Sequence, residues 1–481
     1  MANKNQGLVS GVRWTTVSTF VSTLAKLFQI VILTRFLSKA DFGIIGVALM
    51  CVGFSEIFLD LGISSGVMHV QGITKKQYSS LFWLNVFTGI VVYLVFAGLS
   101  PFIATYYKER ELESVLPLIF LIIIISSFYR LQRTIQFKEM RFKFIALTEI
   151  SSNILMLFSS VLFACLGWGV YSLVWSTLIF YFYLSFIYLG YSLIKLKILS
   201  FHYASNDLKP FLKIGIFQLG NTLIDTISSE MDTIIIGRVF SMEILGVYTL
   251  CKQLAARIYG IINPIITKVL TPVLASIQNE TRLVKQKYMN VLYIIAAINI
   301  PIYFFVAYMS PQFLEVLYGA QYSEYYLILS LLCVNYGILS VGNPIGSLQV
   351  ALGRTDLGFY WTIYRVIAYA VSLGFGAFSG NFTLCITCLV IMQIINMYPG
   401  NRMLLRKMIG VGFRESLDVY RVPLLISLCL SFVCIAHLFK INAIVVIVLS
   451  GFLFFLFYFL LIKKYQPVFV DSLLHIIRQK L

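Results

Sequence analysis

Charge is what this 481-residue chain has least of: 12% of it is Asp, Glu, Lys or Arg, where a soluble domain carries about 25%. The 59% of residues that are apolar exceed what a soluble core hides, because cores stop growing beyond about 250–300 residues. Histidine is scarce as well. His69, His202, His437 and His475 are the only four, and none sits at metal-ligand spacing with another. All eight cysteines fall inside apolar runs. Cys385 and Cys388 make one CxxC with no second pair, which fits small apolar helix residues better than a metal or redox site. No GxxxxGK[ST] motif occurs, so ATP is not the direct energy source. The N-terminus shows no short apolar stretch ending in a cleavage site, so no removed signal peptide is expected.

What is present is enough apolar chain to cross a bilayer many times. The mean hydropathy is +0.88, and a spanning helix needs about 20 mostly apolar residues. Cutting at charged and Gly- or Pro-marked breaks predicts fourteen spans, near 10–34, 43–64, 79–106, 114–132, 144–166, 169–192, 211–236, 244–270, 289–309, 325–352, 357–378, 381–401, 422–439 and 441–462. The first, seventh and eighth are the least hydrophobic. With an even count both termini share one side, and alternate loops should collect Lys and Arg. The termini and even-numbered loops hold 27 of these cations against six in the odd loops, which predicts cytoplasmic termini. The net charge of +17 then reflects topology facing anionic lipid, not a nucleic-acid footprint.

The sequence also repeats itself. Residues 35–43 read R-F-L-S-K-A-D-F-G, and 238–246 read R-V-F-S-M-E-I-L-G, an offset of 203. Each copy lies between the first and second spans of a half. Residues 101–107 and 311–318 likewise close a span in each half with Pro and a final Tyr. Six spans separate the copies, so they run in the same direction. That predicts an all-α polytopic protein of two six-helix lobes, 1–200 and 201–405, with two further helices and a tail in 406–481.

Seven stretches in order now carry a resemblance. They are 35–46 (R-F-L-S-K-A-D-F-G-I-I-G), 58–65 (F-L-D-L-G-I-S-S), 81–85 (L-F-W-L-N), 137–143 (F-K-E-M-R-F-K), 232–238 (D-T-I-I-I-G-R), 245–248 (L-G-V-Y) and 351–356 (A-L-G-R-T-D). Together the set resembles the polysaccharide-exporter branch of the MOP (MATE/MVF-like) flippase superfamily, and in particular its colanic-acid and O-antigen exporters. The resemblance implies a bacterial inner-membrane carrier with the MOP fold, acting by alternating access. Its cargo would be undecaprenyl-diphosphate-linked oligosaccharide, flipped from the cytoplasmic to the periplasmic leaflet. Polysaccharide polymerase and assembly proteins would be its partners, with no cofactor.

Ionisable groups inside spans cost at least about 2.5–3.5 kcal/mol at a helix centre and so face a cavity or a partner. Apart from the cations near span ends that are counted with the loops and termini, those within the predicted spans are Lys26, Lys252, Arg257 and Arg365. A diphosphate cargo needs such donors, and these four are the candidate diphosphate ligands; the competing role for each is an internal pair or a snorkelling charge. Asp225, Glu230 and Asp232 of the seventh span either bind a coupling cation or pair with Lys252 and Arg257. Glu56 and Asp60, one turn apart on the second span, suit a proton site or a helix-end role; Glu149 lies in the fifth. H+, Na+ and the membrane potential are the energy sources this leaves. Gly62/Gly66 and Gly342/Gly346 have GxxxG spacing, for packing or for a hinge.

Three rivals stand beside this reading. A membrane polymerase or ligase would need a large catalytic outer loop, and the longest odd loop, 310–324, has no Ser/His/Asp set or carboxylate pair. A multidrug exporter of the same fold would favour an acid-lined cavity. A lipid II flippase would differ only in its sugar.

Overall fold

In hydrocarbon every backbone N–H and C=O must find a partner within its own segment, so long apolar runs become helices. The computed structural model describes residues 2–196, 201–432 and 443–465, and no strand occurs among them. The chain forms two compact units, Met1–Gly246 and Val247–Leu481.

The first unit contains α1 (Ala2–Leu33), α2 (Lys39–Asp60), α3 (Ile63–His69), α4 (Lys75–Tyr107), α5 (Glu111–Ser127), α6 (Arg130–Lys138), α7 (Phe142–Cys165), α8 (Val170–Tyr191) and α9 (Ser205–Val239). Local chemistry sets their ends. Ser38 caps α2 by accepting from the Asp41 N–H at 3.2 Å, while Asp41 accepts from the Ser38 N–H at 2.8 Å. Thr74 and Gln77 repeat this box at α4. Between α2 and α3 two successive residues are left-handed, Leu61 at φ 42 and Gly62 at φ 68. Only glycine takes that conformation without strain, so the spot ends α2 sharply. Gly66, the other half of the GxxxG, lies against the backbone of Phe211 on α9. Lys138 of α6 donates to the carbonyls of Val67 in α3 and of Val70, the residue that caps the end of α3. An apolar core of Val67, Leu81, Phe82, Leu131, Ile135 and Phe211 joins α3, α4, α6 and α9.

The second unit contains the rest of α10 (Met242–Ser276), which begins in the first, then α11 (Thr281–Tyr308), α12 (Ser310–Tyr318), α13 (Tyr326–Gly342) and α14 (Ile345–Ala351). These are followed by α15 (Thr355–Phe378), α16 (Phe382–Gly400), α17 (Arg406–Ile409), α18 (Phe413–Cys429) and α19 (Ala443–Tyr465). α11 is central: one face packs with Leu348, Leu404 and Val419, and another with Ile426, Phe454 and Tyr458.

Eleven of the described helices are long and apolar enough to cross a bilayer, and twelve if α5 and α6, bent by 43°, count as one span. These coincide with twelve of the fourteen expected spans. The other two fall on α9, a full-length helix too polar for the same test, and on α18, which covers 422–439 as far as Cys429, with the described residues ending at 432. The expected tail beyond 465 lies outside the described residues. By packing, α9 associates with α2, α3 and α4, so the compact unit extends beyond residue 200 to residue 246. Side chains such as Phe102 and Phe378 stand outward, 73% and 93% exposed, as lipid-facing positions do in a multi-pass membrane protein.

Candidate functional site

Each unit has its own arrangement of intramembrane charge. In the first, Glu56 and Asp60 lie on one face of α2, and Arg130 at the start of α6 sits 3.2 Å and 4.0 Å from them. The Ser64 hydroxyl donates to Asp60 at 2.5 Å, and Tyr181 of α8 donates to Glu56 at 3.5 Å. One turn along α6, Arg133 donates to Glu149 of α7 at 2.7 Å; Ser18 of α1 donates to the second oxygen of the same carboxylate at 3.2 Å. Asn153, one turn beyond Glu149, bonds Ser22 at 3.1 Å. Six helices thus contribute to a set of two arginines and three carboxylates. Lys26, two turns beyond Ser18, is exposed on α1.

Arg130, at the end of the expected span 114–132, and Arg133 are among the 27 cations counted above with the termini and even-numbered loops. Both are helical instead, because the chain bends after Ser127 and resumes as α6 within the bundle. Three carboxylates inside spans, with no matching cations on those spans, were the signal that could have found them.

On α9, Asp225 is exposed and Glu230 and Asp232 are half-buried. Thr233 links the last two, its N–H donating to Asp232 at 2.7 Å and its hydroxyl to Glu230 at 3.2 Å.

The second unit is different. Lys252, Arg257 and Arg365 are half-buried. Arg257 lies on α10 beside Tyr318, whose phenol donates to the Leu250 carbonyl at 3.3 Å. Burial first, and then Cys251, push the Tyr318 hydroxyl up; Arg257 draws it down. Arg365, near the middle of α15, lies within electrostatic reach of Tyr259 on α10. The Tyr259 oxygen accepts from Asn343 at 2.6 Å. Beneath it Asn299 donates to Asn263 at 3.0 Å, and Asn263 to the Ser340 carbonyl at 2.6 Å. Among the described residues no carboxylate pairs with Arg257 or Arg365, and the Arg365 Nε is buried without an acceptor. Unlike Arg130 and Arg133, these two guanidinium groups can take a multiply charged anion in two-pronged fashion.

Helices in this order make a fold shared with solved polytopic membrane transporters. The lipid II flippase MurJ in an inward closed conformation superimposes with a TM-score of 0.78 at 16% identity, covering 95% of this chain and all of that one. An inward-facing MATE multidrug transporter gives 0.58 at 14% identity, over 85% of this chain and 95% of the other. Within that fold, the sequence pattern of the polysaccharide biosynthesis protein family matches residues 32–327, more than half the chain. The chain belongs to that family. It is 26% identical to the teichuronic acid biosynthesis protein TuaB of Bacillus subtilis, over 89% of this chain and 88% of TuaB. It is equally 26% identical to the lipopolysaccharide biosynthesis protein WzxC of Escherichia coli, over 87% and 85%. The succinoglycan biosynthesis transport protein ExoT of Rhizobium meliloti matches at 21%, over 88% and 85%.

Proposed function

We propose that this protein is an inner-membrane carrier, not an enzyme, that flips undecaprenyl-diphosphate-linked oligosaccharide from the cytoplasmic to the periplasmic leaflet. It does so by alternating access, for the synthesis of a surface polysaccharide. The observation that carries this reading is the pair of guanidinium groups of Arg257 and Arg365, held in spans without a carboxylate partner. An unneutralised cation in hydrocarbon is costly, and a diphosphate headgroup removes that cost when it binds. Lys252, on the same helix as Arg257, would add charge at that headgroup, and Lys26 is a separate candidate contact within the first unit. An acidic drug-binding cavity would call for the opposite sign, which disfavours multidrug export, and lipid II differs from this cargo only in its sugar.

Deleting the gene should strand lipid-linked oligosaccharide in the cytoplasmic leaflet and remove the surface polysaccharide; extraction of lipid-linked glycan and surface staining read both. Unchanged surface glycan with lost resistance to cationic drugs would sink the proposal. The excess of cations at the termini and even-numbered loops, about 25 to 6 once Arg130 and Arg133 are counted with α6, supports cytoplasmic termini in this reading. Reporter fusions after Leu481 and within 310–324 should therefore report opposite sides of the membrane; the same side from both would refute that topology.

A further inference from the structure

The repeated nine-residue motif has a structural counterpart. In each copy the serine caps the following helix: Ser38 accepts from Asp41 N–H at 3.2 Å, and Ser241 from Ile244 N–H at 3.3 Å. Both members of both pairs are offset by the 203 residues that separate the motifs. The motif glycines, Gly43 and Gly246, then meet. A Cβ on Gly43 would overlap the Met242 carbonyl oxygen and come within 2.9 Å of the Met242 carbonyl carbon. A Cβ on Gly246 would overlap the Lys39 carbonyl oxygen and come within 2.9 Å of the Gly43 nitrogen. Lys39 and Met242 are themselves 203 apart. Each glycine therefore rests on the residue equivalent to the one that its partner rests on, the self-complementary pattern of a two-fold contact. All of it lies within the first compact unit, which includes the opening turn of α10.

Two features set this contact apart from ordinary helix packing. Its nearest atoms are backbone on both sides. It also sits at the N-terminal turns of the two equivalent helices, directly after the loops that join α1 to α2 and α9 to α10. Beside it Arg238 donates to the Tyr106 carbonyl at 2.7 Å and covers the Tyr106 ring at 5.2 Å, bracing the α9–α10 loop against α4.

We propose that the two motif copies form a glycine latch that closes the carrier on this face and parts once in every transport cycle. This deepens the carrier reading and rests on it. Any side chain at 43 or 246 props the latch apart, so the closed state loses population while the fold itself persists.

Gly246→Ala should lower polysaccharide export by about tenfold or more at normal protein level. Gly53→Ala, at a glycine of α2 with nothing near its missing Cβ, should export normally. Phe42 is 4% exposed beside the latch. A Phe42→Cys variant should react slowly with a membrane-impermeant maleimide, and several-fold faster when Gly246→Ala is added. Equal labelling rates together with normal export would overturn the latch. If the glycine variants fail to accumulate, a Lys39→Cys/Met242→Cys pair gives a separate measurement. Joining the pair with a short bis-maleimide should stop export that each single variant retains under the same reagent. Absence of cross-linking, or export by the cross-linked protein, would overturn the proposal. A wild-type chain that cannot restore export to a deleted strain would instead count against the carrier reading, leaving the latch to be judged by labelling alone.

Discussion

Replacing Arg257 by alanine is expected to abolish polysaccharide export while the protein still reaches the membrane at close to its normal level. The guanidinium sits within α10 with Tyr318 beside it and no carboxylate partner among the described residues, so its removal leaves no buried anion behind. What is lost is contact with the headgroup. A hydrogen bond to a charged group contributes about 1.5–3 kcal/mol, which in affinity is roughly tenfold to more than a hundredfold. Arg257→Lys should recover only part of the activity, since an ammonium keeps the charge and loses the planar fork. Arg365→Ala should behave in the same way. A packing role makes the opposite forecast: less folded protein at the membrane, with export per molecule unchanged. Export normalised to membrane protein decides between them, and full export by the single variant would remove Arg257 from the site.

Arg130→Ala should fail in a different way. Here the arginine neutralises Glu56 and Asp60 across two helices, and its loss strands two carboxylates in a largely dry site. Breaking a fully buried pair costs about 3–5 kcal/mol. These side chains are 22–28% exposed, so about 1–3 kcal/mol is the reasonable range. That is a large share of a marginal stability. Membrane protein should fall several-fold, and adding Glu56→Gln with Asp60→Asn should restore much of it, because amides need no counter-charge. Normal accumulation of Arg130→Ala would show that the network does not hold the unit together.

The contrast between the two arginines marks how far the sequence could be read. Apolar runs and alternating charge located the helices, because a bilayer leaves a chain few other solutions. α9 was harder, since its polar residues lower its hydropathy while its packing on α2, α3 and α4 keeps it in the bundle. Arg130 and Arg133 fall at and just beyond the end of the expected span 114–132, and counting them with the following loop misses α6, because hydropathy falls at the 43° bend although the helix resumes beyond it. Pairing is a property of three dimensions. Nothing in the spacing of Glu56, Glu149, Arg130 and Arg133 states who meets whom, and the same holds for the absence of a carboxylate at Arg257 and Arg365. The repeat of Ser38 and Gly43 at Ser241 and Gly246 was visible as text. That the two glycines touch was not, because a glycine's missing side chain leaves no pattern of its own.

The lysine that ties α6 to the end of α3 also bears on what moves together. Lys138 joins α3 to α6, α6 carries both arginines of the charge network, and α3 rests through Gly66 on α9. A displacement of α9 would therefore be felt by α3 and, through Lys138, by the arginines of α6 and the carboxylates of α2 and α7 that they hold.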